Sequence, residues 1–270
     1  MHKKYGYRQV VLAAIVIGCV DVGCAYAVTE VSCSANQTEI SGLKFTPGSL
    51  VFHDTNDVNY VAANIIIPES EFFSATFRTQ LIKRISKQGM DFSGLNGHSI
   101  TPVLTKPDRY GRSVVNLFAK ENQRWLQWEL VNAGLVMVNP QGLDLNCIRQ
   151  LLGAESTARS KRIGIWQFPE VVMSYEDVNW KKRIQSYQLV EGVISSVGKT
   201  NSKYYLNFGD NWNEDFTVIV AKPNFKRFKK VYGELKQLAG KKVRVRGWMI
   251  ENRGPMIEIY HPGQIEIDIE

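Results

Sequence analysis

The order of apolar and polar positions gives the chain two halves with different rhythms. Up to Pro68, short apolar runs alternate with turn signals: Thr46-Pro47-Gly48-Ser49, then Leu50-Val51-Phe52, then Asp54-Thr55-Asn56-Asp57, then one long apolar strand over 60–67. Over 69–88 the period lengthens. Phe73, Phe77, Leu81 and Ile85 recur every four residues, which predicts a helix with a core-facing stripe. Loop and strand follow over 89–106, then a polar turn at 108–112 and a strand over 113–119. Two more helices are predicted. One covers 121–133, buries Trp125, Trp128 and Val131, and stops at Gly134; the other covers 144–162 with Ile148, Leu151 and Ala158 inward. A polar connector, partly helical over 176–183, leads into the second half.

That second half reads as strands at 187–197, 203–208, 215–221, 242–250, 255–260 and 264–268, with a helical stretch over 224–239 between the third and fourth. Five or six short strands with one helix in that place suggest an OB-type barrel. The fold class expected is therefore α+β, mainly β: a first barrel with three helices over 28–170, a linker over 171–186, and a second small OB-like barrel over 187–270.

Residues 1–27 read as an export signal. Lys3, Lys4 and Arg8 precede an apolar run too short to span a membrane, and Ala25-Tyr26-Ala27 is a small-residue cleavage site. The expected location is periplasmic or secreted, with no membrane-spanning segment in the mature chain. A lipoprotein reading, with Cys19 as the lipidated residue, is the minor alternative. Cleavage after Ala27 removes Cys19 and Cys24, so Cys33 and Cys147 remain in an oxidising compartment and allow one disulfide; two buried thiols are the alternative.

Composition is that of a globular chain: 270 residues, 44% hydrophobic and 22% charged. The formal charge of +7 falls to about +5 without the signal, a moderate excess that favours an anionic partner. His2, His53, His98 and His261 are scattered and no cysteine lies at metal-ligand spacing, which argues against zinc.

The turn Asp108-Arg109-Tyr110-Gly111-Arg112 carries more specific information. Gly111 can take a positive φ, and Arg112 at the base of a strand can aim a planar fork of donors at a phosphate. The turn is followed by Trp125-Leu126-Gln127-Trp128, by Asn132-Ala133-Gly134, and by a charged helix closing on Ile163-Gly164-Ile165-Trp166. This succession resembles the staphylococcal nuclease (thermonuclease) family. The resemblance implies a phosphodiesterase fold in which Glu69, after Pro68, matches the glutamate proposed as general base, and Arg112 matches a phosphate-contacting arginine.

Counted back from Pro68-Glu69, the family's metal-binding aspartates fall on Ile66 and near Gly48, and its strand arginine on Val61. Calcium needs several oxygens, and Ile66 and Gly48 bring no side-chain oxygen. A shifted register could recruit Asp54 or Asp57, but none supplies an arginine between Asp57 and Glu69. The expectation is a vestigial or weak site at Glu69 and Arg112, with no resident metal; calcium is the cofactor if the site is active. Helix start accounts for Glu69 as well as catalysis does.

In the second half, Leu206-Asn207-Phe208-Gly209-Asp210-Asn211-Trp212 and Asp215-Phe216-Thr217 resemble the tail that follows nuclease-like domains in some bacterial secreted proteins. Lys242, Arg244 and Arg246 alternate with Val243 and Val245, placing three cations on one strand face, and Lys222, Lys226, Arg227, Lys229 and Lys230 lie nearby in sequence. Tyr204, Tyr205, Trp212 and Trp248 could stack on bases. The reading is a binder of DNA or RNA, single-stranded for preference, or of another polyanion. A calcium-dependent phosphodiesterase and an envelope scaffold with a protein partner are the alternatives. An equally open reading of the cationic strand is a solvated face over aromatics that fill a small barrel.

Overall fold

The computed structural model describes residues 33, 36–69, 73–142, 144–211, 214–267 and 269. The signal-like segment 1–27, with Cys19, and Trp212 lie outside the described residues. Residues 31–270 form one compact unit.

In the first half the strands are β1 (Thr38–Ile40), β2 (Lys44–Phe45), β3 (Val51–His53), β4 (Asn59–Ala62), β5 (Ile65–Ile66), β6 (His98–Pro102), β7 (Ser113–Ala119) and β8 (Met137–Val138). The helices are α1 (Ala75–Ser93), α2 (Leu126–Asn132) and α3 (Leu145–Ser160). Six strands form one sheet in the order β1-β6-β7-β4-β3-β2, and β5 pairs β8 apart from it. The predicted long strand at 60–67 is two strands. Asn64 stands between them at φ 63°, its side chain accepting from Gln141 N at 2.9 Å, and this turn redirects the chain.

Helix α1 begins later than the periodicity suggests. Ser74 is its N-cap, its hydroxyl accepting from Phe77 N at 3.1 Å, so Glu69 precedes the helix rather than opening it. Helix α2 begins after Trp125, which is buried and stacks on Phe118, whereas Trp128 is 41% exposed instead of core. Asp144 caps α3 through Asn146 N and Cys147 N.

The second half holds β9 (Val172–Ser174), β10 (Tyr187–Lys199), β11 (Lys203–Phe208), β12 (Thr217–Ala221), α4 (Phe225–Tyr232), β13 (Lys242–Asn252), β14 (Gly254–Ile259) and β15 (Ile265–Ile267). Strand β10 pairs β13 through residues 187–193 and β11 through 194–199, with a bulge between Ile194 and Ser196. The bulge bends the strand and lets one strand serve two partners. The ring β10-β11-β12-β14-β13 thereby closes into a five-stranded barrel of OB type. Its core is built by alternation: in β11, Tyr204, Leu206 and Phe208 are buried while Lys203, Tyr205 and Asn207 face outward. The predicted helix at 224–239 stops at Gly233, φ 71°, so only eight residues are α-helical.

Candidate functional site

The polar turn before β7 is held by one carboxylate. Asp108 accepts from Tyr110 N at 2.9 Å, from Arg112 N at 3.0 Å and from Arg112 Nε at 2.8 Å, and forms an ion pair with Arg112 Nη2 at 2.7 Å. Burial works against its ionisation, but the bonds from Arg112 and the backbone outweigh this and hold Asp108 below its ordinary range. Gly111 takes φ 76° with open space around it, so the requirement there is conformational. The guanidinium of Arg112 lies 4.9 Å from the Tyr110 ring centroid, with its side chain 27% exposed. A phosphate reaching Arg112 competes with Asp108 for the same fork of donors.

Glu69 is exposed and stands elsewhere. It lines a cavity of about 570 Å³ with Arg78, Leu81 and Ile82 of α1, Met137 of β8 and the segment 182–188. Arg112 is not part of that lining, so the two residues matched to catalytic positions are not joined in one pocket.

The positions matched to the family's calcium ligands bring no carboxylate to Glu69; the other acid of its cavity is Glu170. Ile66 pairs Met137 across β5 and β8, Val61 pairs Val114 across β4 and β7, and Gly48 donates its N–H to Ser86 Oγ at 2.7 Å. Asp54 cannot be recruited as the shifted register proposed. It is buried, and its oxygens already accept from Asn56 N, Val58 N and the Tyr60 hydroxyl at 2.9, 3.1 and 3.0 Å. Asp57 is an exposed residue of the same hairpin loop, at φ 57°. Among the described residues no group of three His, Cys, Asp or Glu is placed to hold a metal.

The cationic strand face is corrected by the structure. Of Lys242, Arg244 and Arg246, only Lys242 is exposed; Arg244 is 7% and Arg246 0% exposed. Strand β13 is covered on both sides. Val243, Val245 and Met249 fill the barrel, and the arginine face lies against the first half of the chain. There Arg246 pairs Glu155 of α3 at 2.7 Å, donates to Val138 O at 3.2 Å and pairs Glu266 of β15. Arg244 pairs Glu191, and Arg159 lies 3.3 Å from Glu155 and 3.6 Å from Glu266. Three arginines balance three carboxylates, which is how buried charges are tolerated. Burial opposes ionisation of Glu266, but Arg246, Arg159 and Arg244 hold its carboxyl below the usual range.

The aromatics divide similarly. Tyr204 is 6% exposed and meets Phe225 edge-on at 4.6 Å, so it belongs to the core. Tyr205 points the other way. With Asn207 and the largely buried Thr217 it lines a groove of about 520 Å³ that also takes in Thr200, Asp215, Asn252, Arg253 and Pro255. Lys203 extends the outward row of β11, whereas Lys199 lies 5.1 Å from the Tyr204 ring, on the face away from Tyr205. Asn207, Thr217, Lys203 and Arg253 escaped the sequence reading. The outward phase of 203, 205 and 207 was the signal that could have found the first and third of these.

Cys33 and Cys147 form a disulfide with Cα atoms 5.3 Å apart, tying the residue ahead of β1 to α3. Gly134 and Gly164, the two motif glycines, touch one another: Ile165 N donates to Gly134 O at 2.9 Å, and a Cβ on Gly164 would lie 2.0 Å from that oxygen. The helix-end Ala-Gly and the Gly-Ile-Trp closure are thus one packing unit.

No curated protein matches the chain. Residues 80–168 match the family model described as staphylococcal nuclease homologue. That span contains the turn at 108–112 and both touching glycines, and begins after Glu69. Residues 80–168 of the chain thus carry a staphylococcal nuclease homologue domain.

Proposed function

We propose that this is an exported nucleic-acid-binding protein, in which the nuclease-like domain has a retired catalytic site and the second barrel holds a single strand. The observation that carries the reading is the groove across β11 and β12. It is where five-stranded barrels of this type take oligonucleotides, and it offers an outward aromatic, Tyr205, beside amide and hydroxyl groups and next to Lys203. Tyr205 stacks on a base, Asn207 meets its polar edge or the sugar, and Lys203 meets a phosphate.

Support for retirement of the nuclease site comes from the first half of the chain. Phosphoryl transfer needs charge stabilisation at the phosphorus from a metal or positioned cations. Here the positions matched to the metal-binding aspartates, Ile66 and Gly48, bring no side-chain oxygen, Asp54 is already engaged, and Arg112 is engaged by Asp108 and lies outside the lining of the Glu69 cavity. Export is supported by the signal-like 1–27 and by the Cys33–Cys147 bridge.

Fluorescence anisotropy with a labelled oligothymidylate tests the reading. Tyr205→Ala weakens binding roughly tenfold, the loss of one stacked base. Binding of the same strength in wild type and variant removes the groove from the account.

A further inference from the structure

Helix α4 is charged in a way the barrel does not require. Residues 222–230 carry five cations and no acid. The apolar side of α4 is spent on the barrel: Phe228 is fully buried, Phe225 meets Tyr204, and the Tyr232 hydroxyl donates to Pro262 O and Ile265 O. This leaves no apolar face to insert into a bilayer. The cations point outward. Lys229 is neutralised by Glu234 and Arg227 donates to Tyr260 O at 3.1 Å, but Lys222, Lys226 and Lys230 are exposed and have no acidic partner among the described residues.

These three lysines join two other features. At one end Lys222 N donates to Ser202 O at 2.8 Å, and Lys203 is in register with Ala221, so the row begins beside the loop that bounds the groove. At the other end Lys230 shares a cleft with Arg149, an exposed residue on α3 of the nuclease-like domain. Asp144 lies in that cleft too, but it is occupied as the cap of α3. The outcome is a cationic row running from the groove over α4 to the first domain: Lys203, Lys222, Lys226, Lys230 and Arg149.

We infer that this row is a phosphate track that prolongs the groove, so that one nucleic-acid strand is held by both domains. The inference rests on the proposed groove reading and adds the path of the strand beyond it. Eight helical residues extend about 12 Å, and Lys222 and Arg149 lengthen the row beyond the two ends of the helix. No base-reading side chain lies along α4, so this part of the contact is blind to sequence. It also explains why a barrel of this size carries charge on a helix whose packing needs only its aromatic side.

The test compares oligothymidylates of 5 and 15 nucleotides on wild type, on the triple variant Lys226→Ala, Lys230→Ala, Arg149→Ala, and on Tyr205→Ala. The three substituted track residues are exposed, and circular dichroism with thermal unfolding checks that the variants fold. The track predicts tighter wild-type binding of the 15-mer, a tenfold or greater loss of 15-mer affinity in the triple variant, and a 15-mer salt slope shallower by about two, the release expected from three lost phosphate contacts on a single strand. The 5-mer is unaffected. Charge-preserving Lys226→Arg and Lys230→Arg retain 15-mer binding. If the triple variant binds the 15-mer as wild type does, while Tyr205→Ala weakens both, the track is overturned and the groove stands. No wild-type binding of either oligomer at low salt overturns the groove reading and the track with it. If the triple variant instead loses only binding to vesicles of phosphatidylcholine with 30% phosphatidylserine, the row serves an anionic membrane and the inference fails.

Discussion

Arg246 carries a full charge into a place with no water, and it is tolerated because Glu155 and Glu266 meet it there. Truncating it strands two carboxylates, one of them, Glu155, also fully buried. Arg246→Ala therefore costs about 3–5 kcal/mol in urea unfolding, whereas Arg246→Met with Glu155→Leu, which removes a pair together, costs less. His261 is the opposite kind of buried group, held neutral. Burial first, and the charge of Arg227 second, lower its pKa from 6.5 to about 4, while its Nδ1 accepts from Gly263 N. The unfolded chain thus takes up a proton near pH 6.5 that the folded chain refuses until about pH 4. Stability is whole above that upper value and falls through the window below it. At pH 5 the penalty is about 2 kcal/mol. Urea midpoints at pH 7.5 and 5 measure it, and His261→Asn shows a smaller fall than wild type.

At the scale of elements, what could be read in advance followed from local chemistry. The second-barrel strands were legible because each alternates; β11 matches its predicted bounds, 203–208. The turn at 108–112 was legible because Asp and Gly sit where a turn needs them. The start of α1 was misplaced because Phe73 extends the apolar stripe of Phe77, Leu81 and Ile85 backwards, past the true cap at Ser74. Ser74→Ala is expected to cost about 1 kcal/mol, and Glu69→Ala close to nothing, in the same unfolding measurement. Equal losses would mean that Glu69 does open the helix. The cationic face of β13 failed for a different reason. Alternation of Lys and Arg with Val reads alike whether the polar face meets water or a second domain, and only the docked partner, α3 with Glu155, decides. Tyr204 and Tyr205 illustrate the same limit: adjacent tyrosines in a strand face opposite ways, and the phase comes from their neighbours Leu206 and Phe208.

For the molecule as a whole, three ties hold the nuclease-like half and the second-half barrel in one compact unit: the arginine–carboxylate cluster, the Tyr187 hydroxyl on Val138 O at 3.0 Å, and the packing of Gly263 on Ile148. A fourth restrains the nuclease-like domain itself. The Cys33–Cys147 bridge closes a loop of 114 residues, which the chain-entropy account values at about 4–5 kcal/mol. The double variant Cys33→Ser, Cys147→Ser should lose about that much under non-reducing conditions, and a reducing agent should then change wild type but not the variant. In this assembly the nuclease-like half supplies a base to which the barrel is fixed, and the barrel presents the groove. The measurement that tests this division most directly is the mapping of backbone amide shifts by nuclear magnetic resonance as a 15-nucleotide oligothymidylate is added. The account predicts shifts along 203–207, at 217 and across 252–256. Shifts gathered around Glu69 and Arg112 instead, with the groove silent, would contradict it and return the nuclease-like domain to the centre of the protein's function.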